Sequence, residues 1–115
     1  MKTDNLILKK TFDFSLSIIK LYTNLISEKE FIISKQLLRS ATAIGANVEE
    51  SIAAQSRKDF ISKMSIASKE ARESKYWLRL LSESDITNID VTEYLKEIDH
   101  IINIITKIVK TSQEQ

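Results

Sequence analysis

The sequence predicts an all-α fold, an antiparallel up-down-up-down four-helix bundle, and three observations carry that expectation. The 115 residues include no proline and one glycine. A sheet protein of this size needs such turn residues, whereas a bundle changes direction with capping residues. Apolar residues recur every three or four positions through four successive segments. The breaks between those segments are short, which makes sequence neighbours antiparallel neighbours in space.

The first helix is expected at about 5–26. Ile7, Phe14, Ile18, Leu21 and Leu25 fall on one face, and Phe12 and Tyr22 widen it. Ser27 to Ile33 breaks the pattern and reads as a connection, with Ser27 and Glu30 together, or Ser34 alone, able to cap the next helix. That helix is expected at about 31–55, with Leu37, Ala41, Ile44, Val48 and Ile52 as its core stripe. Ser56 with Asp59 forms a capping box that opens a third helix at about 57–82. Phe60, Met64, Ala67, Ala71, Leu78 and Leu81 point inward from it. Ser84 to Ile89 is the third connection, and Asp90 with Glu93 reads as a capping box for a helix at about 90–110. Its inward residues are Val91, Leu95, Ile98, Ile102, Ile105 and Val109, and the polar tail after Lys110 is expected to fray. No repeat or linker interrupts the chain, so residues 1–115 read as one bundle domain.

Composition narrows the function classes. Without cysteine there is no thiol chemistry or Cys-based metal site, and a reducing compartment fits. Lys and Arg number 17 against 16 Asp and Glu, so the bulk charge gives no pull toward nucleic acid or anionic lipid. The apolar run in MKTDNLILKK is too short for a secretory signal, and the Ile-rich stretch 101–109 is broken by Asn103, Thr106 and Lys107. The expectation is a cytoplasmic protein without a membrane partner.

The middle helices carry more than one face worth burying. Advancing 100° per residue groups Arg39, Ala43, Asn47, Glu50 and Ala54 away from the core stripe of the second helix. Lys63, Ile66, Glu70, Glu73 and Trp77 form the matching face of the third. Alanine is out of place on a solvated face, which normally carries Lys and Glu, and Trp favours interface centres. The charges can pair across one seam, Arg39 or Lys63 with Glu50, Glu70 or Glu73. An oligomer interface is therefore expected at Arg39, Asn47, Glu50, Lys63, Ile66, Glu70, Glu73 and Trp77. The competing reading packs Trp77 within its own bundle. A remaining face, Lys58, Lys69, Arg72, Lys75 and Arg79, is the best basic stripe in the chain and a candidate for phosphate-backbone contact. An ordinary solvated helix face is the alternative.

Catalytic chemistry finds little footing. A di-iron centre needs Glu-x-x-His on two helices, and Glu97 with His100 supplies one with the only histidine. Glu70 with Glu73 can hold an oxygen-seeking cation, although an ion-pair network suits them better. Seryl catalysis lacks a base, and one glycine cannot make a phosphate cradle. No enzyme, cofactor or metal is expected.

The stretches RSATAIGANVEES and SRKDFISKMSIASKEARESKYWLRLL resemble the bacterial four-helix bundle proteins related to the 23S rRNA intervening-sequence protein. The resemblance covers roughly residues 5 to 110 and is densest at positions such as Gln36, Arg39, Asn47, Glu50, Asp59, Phe60, Lys63, Lys69, Glu70, Glu73 and Trp77. Ser51 stands where many members have glycine. The resemblance implies a ring-like homo-oligomer, typically a homopentamer, with no established enzymatic activity. It further implies two settings: relatives encoded within large ribosomal RNA genes, and a basic relative that binds a reverse transcriptase and nucleic acid. The expected function is a non-enzymatic scaffold or adaptor, with a nucleic-acid-binding accessory protein as the alternative.

Overall fold

The computed structural model describes residues 2–115, with side chains from Asn5 onward; Met1, part of the expected domain, lies outside the described residues. Four helices form and no strand is present among the described residues: α1 Lys2–Ser27, α2 Ile33–Ile52, α3 Arg57–Glu83 and α4 Thr92–Gln113. Each helix packs on its sequence neighbour and α1 closes on α4, leaving α1 and α3 on one diagonal. The α2–α3 seam is the most extensive and the α1–α4 seam the least. Cross-helix partners run in opposite directions along the chain. Glu50 meets Lys63 while Arg39 meets Glu70, and Lys10 meets Glu97 while Glu28 meets Thr87. This antiparallel arrangement gives a rod of 46 × 20 × 20 Å.

The core is the one the periodicity draws. Ile7, Phe14, Ile18, Leu21, Leu25, Leu37, Ala41, Ile44, Val48, Met64, Ala67, Ala71, Leu78, Leu81, Ile98 and Ile105 are all buried. Two expected members are exposed instead. Phe12 is 58% exposed because it sits about 140° around α1 from the Phe14–Ile18 face. Ile52 is 46% exposed because α2 ends there, two turn-type bonds (Ala53 N–H to Glu50 O, Ala54 N–H to Ser51 O) tightening its last turn. Buried Ser51 fills the end of the stripe in its place. Phe60, Leu95 and Val109 are half-buried against the core, and Tyr22 is half-buried.

The α1–α2 connection differs from both expected caps. Lys29 takes a left-handed conformation at φ 67°. Its N–H donates to Ile26 O at 2.9 Å, and the Glu30 N–H donates to Leu25 O at 2.9 Å. This pair is a Schellman closure with lysine where glycine is usual. The Glu30 carboxylate then accepts from the N–H groups of Ile32 (2.9 Å), Ile33 (3.0 Å) and Ser34 (2.5 Å). Neither serine caps α2: Ser27 Oγ donates back to Asn24 O and Ser34 Oγ donates to Glu30 O. A glutamate side chain is long enough to reach three amides of the following turn, which a seryl hydroxyl is not.

The other starts are simpler. Ser56 Oγ accepts from Asp59 N–H at 3.1 Å, as expected. Asp90 serves Thr92, accepting from its N–H (2.9 Å) and hydroxyl (2.6 Å), and no Asp90–Glu93 box closes. Helix α4 consequently begins two residues late, and it extends to Gln113. Among the described residues no helix is long and apolar enough to cross a membrane.

Candidate functional site

The outer side of the α2–α3 seam carries a connected polar network. Glu70, Glu73 and Trp77 share one face of α3 because they are three and four residues apart. Arg39 reaches across from α2 and donates from Nη1 to Glu70 Oε2 at 3.1 Å and from Nη2 to Glu73 Oε2. The Trp77 indole N–H donates to the same Glu73 oxygen at 3.0 Å. The Trp77 bond is the main reason that the Glu73 carboxyl sits below its ordinary pKa; burial opposes it and Arg39 adds to it. The hydrogen bonds that the Arg39 guanidinium donates, to Glu70 first and then to Glu73, raise its own pKa. Arg39 remains half exposed, so the pairing is worth little beyond holding the groups in place.

A buried pair lies on the same two helices. Ser40 and Ser74 are fully buried, 2.8 Å apart between their hydroxyls. Each hydroxyl also has a backbone acceptor on its own helix, Leu37 O for Ser40 at 3.2 Å and Glu70 O for Ser74 at 3.0 Å, so either can be the donor across the pair. At one end of the seam Lys63 pairs with Glu50 at 3.1 Å. Asn47 turns inward on its own helix, donating from Nδ2 to Ala43 O at 2.9 Å. Of the expected interface residues, six are thus joined within one chain or one helix, as Arg39–Glu70–Glu73–Trp77 and Lys63–Glu50, and Asn47 stands apart. Trp77 packs its ring partly on the core and edge-on to the exposed Tyr76 at 5.1 Å; Ile66 is 41% exposed.

The basic stripe divides. Lys75 pairs with Asp99 at 2.7 Å and Arg79 with Glu83 at 3.7 Å. Lys58, Lys69 and Arg72 are exposed and make no ion pair among the described residues. Glu97 receives Lys10 at 3.3 Å rather than facing His100, which is exposed. No three Asp, Glu or His side chains among the described residues are placed to hold a metal ion.

Two surfaces escaped the sequence reading. Phe12, Leu16 and Ile19 form an exposed apolar stripe on α1, 58%, 48% and 45% accessible. Their i, i+4, i+7 spacing is visible in the sequence, but a second apolar face on one helix reads as a wider core face until the neighbours are known. Beside it lies an α1–α2 groove of about 390 Å³, bordered by Phe12, Gly45 and Ala46. Phe31, Ile32 and Ile86 are also exposed, in the two connections that meet where Thr87 Oγ1 donates to Glu28 at 2.7 Å.

Comparison with known proteins adds the family. No curated protein matches the chain. Among solved structures, a protein with unknown function from the S23 ribosomal protein family of Bacteroides thetaiotaomicron VPI-5482 superposes with a TM-score of 0.87 at 42% identity. The match covers 94% of this chain and 98% of that one. The family model for the 23S rRNA-intervening sequence protein matches residues 3–107, and the chain therefore belongs to that family.

Proposed function

We propose that the chain is a non-enzymatic assembly protein, a cyclic homo-oligomer that serves as a scaffold or adaptor in the cytoplasm. The observation that carries this reading is the Phe12–Leu16–Ile19 stripe, which stays in water although the four-helix core is already filled. Contiguous exposed apolar surface of this kind marks association sites. A ring needs two different faces on each subunit, since a head-to-tail contact joins unlike patches. The α1 stripe supplies one face. The α2–α3 seam supplies the other, with Ile66 and Trp77 as anchors and Arg39, Asn47, Glu50, Lys63, Glu70 and Glu73 around them. Charges already paired within the subunit meet a partner without leaving an unpaired ion behind. The family resemblance implies five subunits.

Light scattering on the full chain at micromolar concentration tests this reading. The expected mass is a multiple of the 13.2 kDa chain. Phe12→Glu and Trp77→Ala should each lower it while helical circular dichroism persists. A monomeric wild type refutes the proposal. Loss of assembly in the Phe12 variant alone refutes the part assigned to the α2–α3 seam.

A further inference from the structure

A second groove, of about 310 Å³, runs between α3 and the C-terminal half of α4. Lys69 and Arg72 line it from α3 and Lys110 from α4, together with Ser65, Ser68 and Thr106. No carboxylate among the described residues lines it. Glu70 and Glu73 are committed to Arg39 and Asp99 to Lys75, and Glu114, one turn from Lys110, is not part of the groove lining. None of the three cations makes an ion pair among the described residues. Uncompensated positive charge gathered into one concavity is a site that favours an anion.

The hydroxyls point the same way. Serines and threonines of α1 and α2 mostly donate back to their own backbone, as Thr11, Ser15, Ser17, Ser40 and Ser51 do, and so do Ser74 in α3 and the groove-lining Thr106 in α4. Ser65 and Ser68, half-buried in the groove wall, make no such bond among the described residues. Their donors are free for a ligand.

We infer that this groove binds a phosphate group. The Arg72 fork matches two phosphate oxygens, Lys69 and Lys110 neutralise the charge from opposite walls, and Ser65 and Ser68 donate to the remaining oxygens. The volume lies at the lower end of small-molecule sites. A free phosphorylated ligand therefore fits, and so does a single phosphate of a longer polymer. This site is independent of the assembly faces, because it uses neither α1 nor the α2–α3 seam.

Titration calorimetry with inorganic pyrophosphate, and fluorescence anisotropy with a labelled single-stranded RNA, test the inference on the full chain. Saturable pyrophosphate binding is expected, weakened about tenfold or more by Arg72→Gln and by Lys110→Gln. Lys20→Gln, on exposed α1 surface, should leave it unchanged, and Arg72→Lys should recover part of it. Pyrophosphate binding with silent RNA identifies a free phosphorylated ligand. RNA binding that pyrophosphate displaces, with a log–log salt slope of about −2 for three cations, identifies a polymer phosphate at the same site. Absence of saturable binding to either probe overturns the inference. So does binding that both Gln variants leave untouched, or RNA binding that pyrophosphate does not displace. Both substituted side chains are exposed, so matched thermal melts exclude misfolding as the cause.

Discussion

Glu30 is the residue to perturb first, because one side chain there closes the start of a helix from a position that is 6% exposed. The start of α2 leaves amide donors without helical partners, and Glu30 accepts from three of them. Glu30→Ala removes all three bonds. Water can replace the one to Ile32, which is 76% exposed, but not the one to Ser34, which is 1% exposed. A buried donor left unpaired costs about 2 kcal/mol, and a lost cap about 1 kcal/mol more. The expected total is about 3 kcal/mol, which lowers Tm by about 12 °C for a domain of this size. Glu30→Gln keeps one acceptor oxygen and should lose about half as much.

The same substitution has a pH signature. Burial pushes the Glu30 carboxyl upward, but the N–H groups of Ile32, Ser34 and Ile33 and the Ser34 hydroxyl outweigh it and hold the pKa below the ordinary value. The folded state therefore binds this proton less readily than the unfolded chain. Its stabilisation is complete above about pH 4.3, the unfolded value, and disappears as pH falls through the lower folded value. Glu73, also depressed, acts in the same direction. Urea melts followed by circular dichroism, at one protein concentration from pH 7 down to 3, read both effects. A loss under about 1 kcal/mol for Glu30→Ala, or parallel acid limbs for wild type and Glu30→Gln, would refute the reasoning.

Lys29→Gly should stabilise the protein by about 1 kcal/mol, since the left-handed position costs lysine what it does not cost glycine; an unchanged urea midpoint would count against the Schellman assignment. The Ser40–Ser74 pair should give a coupling of about 1 kcal/mol in a double-mutant cycle with alanine, the double variant being no worse than either single one. Additive losses would show that the two hydroxyls act separately. Gly45→Ala should stabilise by about 0.5 kcal/mol, because a helix interior favours alanine. The new methyl would meet Ser15 Oγ at 3.4 Å and Thr11 O at 3.5 Å, close to ordinary contact. A fall in Tm would mean that α1 and α2 cannot give there.

Most of the fold was legible because a single variable, angular position on a helix, decides burial in a bundle. Met64, Ala67, Ala71, Leu78 and Leu81 went inward on that basis alone. Most failures occur where angle is not sufficient. Phe12 is the exception, since its angle, about 140° from the Phe14–Ile18 face, already takes it off the core; the position of α2 adds that it borders the groove. The Glu30 cap was missed because the usual signature places serine or aspartate at the cap and glutamate inside the first turn; here the glutamate precedes the helix. The seam residues were gathered correctly onto facing helices, yet their pairing depends on axial register. Arg39 lies level with Glu70 and Glu73, and Lys63 with Glu50. Lys110 went unnoticed as a companion to Lys69 and Arg72 because the groove joins two helices, and no single-helix projection contains it.

The unequal seams have a kinetic consequence. Contact is heaviest between α2 and α3, joined by a short connection, and lightest between α1 and α4, at opposite ends of the chain. Short loops are cheap in entropy to close and long ones dearer. The hairpin of α2 and α3 is thus the natural nucleus, gathering the Ser40–Ser74 bond and the Arg39 network while the outer helices are still free. Closure of α1 on α4, across which Lys10 pairs with Glu97, should come last on folding and open first on unfolding. Substitutions along that edge should change the unfolding rate, and substitutions between α2 and α3 the folding rate.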